Sequence, residues 1–143
     1  MRLWHKDLIP YLPRQQLIAQ WRECCAIASN IAKKGFPNHI LVNKMMKYNV
    51  QFFINYSYIV IEEIKKRGFK INKKSHENFL KNIKQIIPRW PTPYQDFGKE
   101  LYYDWHNERY LKQCIYNLQE KYDCGGISES EWKVIAIHFY RYL

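Results

Sequence analysis

The sequence is poor in acid. Asp plus Glu number 13 against 23 Lys plus Arg in 143 residues, a formal net charge of +10. Such an excess on a small body favours a polyanionic partner, either nucleic acid or an anionic membrane surface, and composition alone does not choose between them. Long apolar runs are missing too. The longest weakly charged stretch, Val50–Ile61, is interrupted by Gln51 and Asn55 and is too short to span a bilayer. The opening MRLWHKDLIPYLPRQQ carries charges and prolines where a signal peptide needs an unbroken apolar segment. Glycines are few and scattered, at 35, 68, 98 and 125–126, so no glycine-rich phosphate loop exists. Of the four cysteines, Cys24 and Cys25 are adjacent, with no turn between them to shape a zinc knuckle, and no histidine stands at finger spacing from Cys114 or Cys124. Free, mostly buried thiols in a reducing cytoplasm are the expectation. His5, His39, His76, His106 and His138 are dispersed, and no paired-carboxylate motif has convincing spacing. These absences disfavour a metal-dependent nuclease, and no cofactor or metal is expected. With no internal repeat, low-complexity tract or linker, residues 1–143 are expected to form one domain.

What is present is helical periodicity. The first dozen residues read as extended or irregular, with Pro10 and Pro13 limiting hydrogen bonding. From Pro13 to Lys34, Leu17, Trp21, Cys24, Ala28 and Ile31 recur at spacings of three and four, and Gly35 with Pro37 ends the run. A short apolar face (Ile40, Leu41, Met45, Met46) begins near His39. Residues 50–67 place Ile54, Tyr58, Ile61 and Ile64 on one stripe before Gly68. Ser75 is the expected cap of a helix running through Ile87, with Phe79, Leu80, Ile83 and Ile87 inside. Residues 88–104 hold three prolines, a glycine and the aromatics Trp90, Tyr94 and Phe97, which predicts a long loop, either packed down as a lid or held out for a ligand. Helices return over 107–122 and after Ser128 or Ser130. The fold class is therefore all-α. Aromatic residues make up 17% of the chain, with 12 tyrosines; some must be core, and others suit stacking or a polar interface.

Two groups attract attention for chemistry. Glu23 lies at the edge of the apolar stripe, beside Arg22, where a carboxylate is partly desolvated; a surface ion pair is the plainer reading. Arg2 is a large second residue, so Met1 is expected to be retained and to present the α-amine. An α-amine loses its proton well below the range of a lysine side chain, which makes it the best available neutral amine near pH 7 and a candidate Schiff-base nucleophile. Basic clusters at Lys33–Lys34, Lys65–Arg67 and Lys73–Lys74, with Lys81, Lys84, Arg89 and Lys99, favour a phosphate-facing surface.

The stretches MRLW at the start, LPRQQLIAQWRECC at 12–25 and IEEIKKRGFKI at 61–71 carry a resemblance. They are similar to the pyrimidine-dimer DNA glycosylase/abasic-site lyases, the phage endonuclease V type and its cellular relatives. PYQDFGK and HNERYLKQCIYNLQEK look like remote versions of that family's C-terminal part. The resemblance implies a compact helical domain that acts on damaged double-stranded DNA, without a membrane or an obligate protein partner. It implies catalysis by the α-amine, falling on Met1, with a glutamate on the first long helix, falling on Glu23. Arg2, Arg22 and Gln15 match positions that engage DNA. Gln16 stands where the phage enzyme has histidine, and Ala26 replaces an arginine that helps hold DNA; these departures bear on dimer specificity more than on lyase chemistry.

The expected function is a cytoplasmic repair glycosylase for cyclobutane pyrimidine dimers with β-elimination lyase activity. Three alternatives compete: a lyase or glycosylase for another damaged base, a catalytically silent DNA-binding protein of the same fold, and a membrane-surface or protein-interaction domain. The resemblance also implies that the base opposite the lesion leaves the stack. Space for it is expected between the first helix and the aromatic loop around Trp90 and Tyr94.

Overall fold

The apolar periodicities become six α-helices in a computed structural model that describes residues 1–92, 96 and 98–143. They are α1 (Arg14–Lys34), α2 (Ile40–Met45), α3 (Val50–Lys66), α4 (Lys73–Ile86), α5 (Glu108–Asp123) and α6 (Glu129–His138). Short 3-10 turns occupy Lys6–Tyr11, Ile87–Arg89 and Tyr140–Tyr142. No strand occurs among the described residues, so the fold is all-α.

Helix α1 is the central element. It packs on α3 and α4, and α5 pairs with α6. All five predicted apolar residues of α1 are buried, with Ile27 beside them. Each large apolar side chain removed from water there contributes roughly 1.5–3 kcal/mol. Helix α3 buries a wider face than one stripe. Phe53, Tyr56, Ser57, Val60, Ile61 and Ile64 are inside, and Ile54 and Tyr58 sit at the edge. Gln51, Asn55, Ile59, Glu62 and Lys66 form the exposed stripe opposite, at helical spacing. In α4, Phe79, Ile83 and Ile86 are buried, whereas Leu80, and Ile87 in the turn that follows, are exposed, contrary to the expectation.

Local chemistry sets the boundaries. The opening residues are more regular than predicted: Leu8 N–H donates to His5 O (2.9 Å), starting the turn over Lys6–Tyr11. Pro10 is tolerated because one missing donor costs little in so short a helix. Pro13 caps α1 from outside its first turn, with ψ 149°. Asn72, not Ser75, caps α4; its side chain accepts the Ser75 N–H at 3.0 Å. At the end of α3, Gly68 adopts φ 85°, and Phe69 N–H reaches back to Ile64 O at 3.1 Å. That left-handed step is the reason a glycine stands there.

The residue before it explains the Arg-Gly-Phe stretch. The Arg67 guanidinium donates to Leu12 O at 2.7 Å and to Pro10 O at 3.1 Å, and pairs with Glu63 at 2.8 Å. It satisfies carbonyls that the short turn leaves open and ties residues 9–12 to α3. Phe69 in turn lies under the Arg14 guanidinium, 4.4 Å from its ring centre.

The loop after α4 packs down at its described ends. Trp90 is buried and its indole N–H donates to Tyr48 O at 2.8 Å. Tyr102 is fully buried among Tyr48, Phe52 and Trp105. Tyr94 and Phe97 lie outside the described residues. Among the described residues, no helix is long and apolar enough to cross a membrane.

Candidate active site

Residues 1–5 carry no helix, and their backbone would be unpaired without side chains to meet it. Helix α1 supplies two of those side chains. Glu23 Oε2 accepts the Arg2 backbone N–H at 3.0 Å. One turn earlier, Gln20 Oε1 accepts the Trp4 N–H at 2.8 Å, and Gln20 Nε2 donates to Arg2 O at 2.9 Å. Glu23 and Gln20 are three apart and share a helix face. Residue 2 therefore meets position 23 and residue 4 meets position 20, so the segment runs antiparallel to α1. Two tyrosines complete the grip. Tyr56 of α3 donates to Trp4 O at 2.5 Å, and Tyr110 of α5 donates to Leu3 O at 2.6 Å.

Beyond residue 4 the segment is held by two histidines. His5 Nε2–H donates to His106 O at 2.8 Å, while its Nδ1 accepts the Asp7 N–H at 3.1 Å. His106 Nδ1 accepts the Lys6 N–H at 2.9 Å. These bonds assign both rings the neutral Nε2–H tautomer. Burial, reinforced by His5 and Lys6 nearby, drives the His106 pKa down to about 2, and burial lowers that of His5 as well. The unfolded chain takes up these protons near pH 6.5, and the folded chain resists until far lower pH. Stability is thus full above about pH 6.5 and falls as pH drops below it, with His106 contributing a slope of about 1.4 kcal/mol per pH unit. Urea unfolding between pH 7.5 and pH 5 should show this slope. His106→Asn, whose amide oxygen can still accept the Lys6 N–H, should flatten it, and equal slopes in the two proteins would remove His106 as the cause.

The anchored segment forms one wall of a cleft of about 680 Å³, with α1 and α5 as the others. Met1, Arg2, Gln15, Arg22 and Glu23 all line it. Met1 is 60% exposed and Glu23 is half-buried. Arg22 is exposed, and among the described residues no carboxylate forms an ion pair with it. Arg2 is turned partly inward: its guanidinium lies 5.1 Å from the Trp4 ring centre, with Nη1 3.9 Å from Cys114 Sγ. The cleft wall also carries Arg14 and Lys121, so four basic residues and a single carboxylate line it. Gln16 lines the cleft, and its Oε1 has no partner among the described residues. Ala26 lies outside it, in a separate groove between α1 and α4.

Sequence reasoning missed Gln20, Tyr56, Tyr110, Asn117 and Lys121. Gln20 left a signal, being a polar residue on the buried side of α1 among Leu17, Trp21 and Cys24. Lys121 left none, because only the packing of α5 brings it to α1. At Trp90 the aromatic loop leaves no open space for an extruded base, because that indole is buried against Tyr48 and Phe36; Tyr94, the other residue of that expectation, lies outside the described residues. Among the described residues no group of three or more His, Cys, Asp or Glu side chains is placed to hold a metal ion.

A family model described as pyrimidine dimer DNA glycosylase matches residues 1–77. The chain belongs to that family. No curated protein and no solved structure matches it. The glycosylase match covers the N-terminal segment, α1 to α3 and the first turn of α4. It contains every cleft residue expected from sequence; Asn117 and Lys121, on α5, lie beyond it.

Proposed function

We propose that the protein is a DNA glycosylase with abasic-site lyase activity, acting on cyclobutane pyrimidine dimers in duplex DNA through the α-amine of Met1. The observation that carries the reading is the meeting of Met1 and Glu23 in one cleft, with the Glu23 carboxylate bonded to the amide of the very next residue. An amine, a carboxylate beside it and surrounding cations are the parts this chemistry needs.

The neutral amine attacks C1′ of the damaged nucleotide. The C1′–N glycosidic bond breaks, its electron pair leaves with the base, and the base takes up a proton. The C1′–O4′ bond then opens, O4′ takes a proton, and a cationic imine joins Met1 to the sugar. Glu23 stabilises the positive charge on the sugar and then on the imine. It also moves protons during ring opening and removes one from C2′. The C3′–O bond breaks with its electron pair on the 3′ phosphate, and water hydrolyses the imine to release the amine. Access to C1′ of the damaged nucleotide requires the duplex to open at the lesion, which extrusion of the opposite base would supply, and the cleft volume falls within the usual range for ligand sites.

Borohydride trapping of the untagged protein on duplexes carrying an abasic site or a pyrimidine dimer tests the reading. An adduct on both DNAs that maps to Met1 supports it. An adduct on the abasic duplex alone leaves the lyase and removes the dimer as substrate. No adduct on either, with duplex binding intact, rejects the catalytic reading.

Arg22 is assigned a phosphate in this scheme. Arg22→Ala should weaken duplex binding and turnover together and reduce the slope of log affinity against log salt by about 1. Anisotropy titrations over a salt series measure it, and an unchanged slope would remove the phosphate role.

A further inference from the structure

Gln20 is almost completely buried, 1% exposed, at the base of the cleft. A buried carboxamide costs free energy unless its hydrogen-bonding groups are met. Its oxygen takes the Trp4 N–H and lies 3.1 Å from the Tyr56 hydroxyl, and its nitrogen meets Arg2 O. It lines the inner wall of the cleft, and its amide bonds to backbone and to the Tyr56 hydroxyl, not to any of the cleft's basic side chains. Its bonds go to the backbone on either side of residue 3, as a neighbouring strand's would. We propose that Gln20, backed by Tyr56, is a positioning residue that sets the register of residues 2–4 and so holds Met1 in the cleft that Glu23 lines. The inference rests on the glycosylase–lyase reading above.

The geometry makes the role specific. Position 20 must accept from one amide and donate to one carbonyl. Glutamine does both, whereas an ionised carboxylate only accepts and would face Arg2 O with a second oxygen. Without the donor, the Arg2 carbonyl loses its partner, and the segment is free to shift along α1. A shift of about 1 Å in a reacting group costs on the order of 100-fold in rate.

Gln20→Glu carries its own control. A buried carboxyl resists ionisation. Protonated, it donates through its hydroxyl as the amide does; ionised, it cannot. Single-turnover borohydride trapping on an abasic duplex, from pH 6 to pH 9, reads the difference. Relative to wild type at each pH, Gln20→Glu should trap nearly as fast at pH 6 and about 100-fold slower at pH 9. Tyr56→Phe, which removes one oxygen and keeps the ring, should trap about tenfold slower at every pH. Duplex affinity and its salt slope should stay within about twofold in both variants, since neither changes a residue assigned to phosphate.

Wild-type trapping rates in both variants across the range would overturn the positioning role. So would losses that follow a fall in duplex affinity or in cooperative melting, which would mark a general structural defect. If Gln20→Glu fails to fold, Tyr56→Phe decides alone. If the wild-type protein itself forms no adduct, the glycosylase–lyase reading falls and this inference with it. A wild-type adduct with indifferent variants removes only the inference.

Discussion

Glu23→Gln should lower turnover on a damaged duplex by about 10²–10⁴-fold and leave duplex affinity nearly unchanged. The expectation comes from what the substitution keeps. The Arg2 N–H donates to Glu23 Oε2 at 3.0 Å, and an amide oxygen can accept the same bond. Gln20, Tyr56 and Tyr110 hold residues 2–4 independently. The N-terminal segment therefore stays where it is, and the cleft keeps its shape. What disappears is the one negative charge among Arg2, Arg14, Arg22 and Lys121. A carboxylate stabilises the cationic sugar and imine, and it accepts protons; a carboxamide does neither. Removing an anion from a basic cleft will not weaken the hold on phosphates. Kinetics on an abasic duplex, with anisotropy for binding, separates the two effects. Full turnover in the variant would show that Glu23 is only a backbone cap for Arg2. Equal losses in affinity and turnover would point to a disturbed cleft.

Much of this architecture was legible in the sequence because helices with one buried face announce themselves. Helix α1 reads correctly from Leu17 to Ile31 since its opposite face meets water at Arg22, Ala26 and Lys33. Helix α3 also keeps a solvent stripe, at Gln51, Asn55, Ile59, Glu62 and Lys66, but its buried face is centred on Phe53, Tyr56, Val60 and Ile64, so the stripe read through Ile54 and Tyr58 falls at its edge. The cap of α4 went to Asn72 in place of Ser75 because both side chains suit the role, and only the path of the chain after Ile71 decides between them. Turn chemistry at Gly35 and Gly68 was readable, since a glycine after cations in the last turn has few other uses there.

The site was half legible. Met1, Arg2, Arg22 and Glu23 were found through resemblance, with amine and carboxylate chemistry in support. The reason they meet was not. It lies in contacts between positions far apart in the chain, such as Gln20 with Trp4, Tyr56 with Trp4, and His106 with Lys6. No periodicity records such pairs. A buried glutamine or a scattered histidine looks idle until the segment it holds is in view.

Acetylating the Met1 α-amine should abolish the borohydride adduct altogether. An amide nitrogen has no basic lone pair, so it neither attacks C1′ nor forms an imine. The change removes one charge from a chain of net +10, so duplex binding should weaken only slightly. Adding a glycine ahead of Met1 is a sterner geometric test. It supplies a new amine but moves it by up to about 3.5 Å along the chain, while residues 2–4 stay tied to α1. Displacement of that size should lower trapping by more than 100-fold. The cleft contains one other primary amine, Lys121 on α5. Lys121 is exposed and stands on a different helix from the tethered N-terminal segment. It should contribute little to trapping when the α-amine is free. If the acetylated protein still traps DNA, and Lys121→Ala then removes the adduct, the nucleophile lies on α5 and Met1 loses its assignment. If trapping disappears on acetylation and Lys121→Ala has no effect in the unmodified protein, the reaction depends on the one amine that the backbone ties around Gln20 and Glu23 place in the cleft.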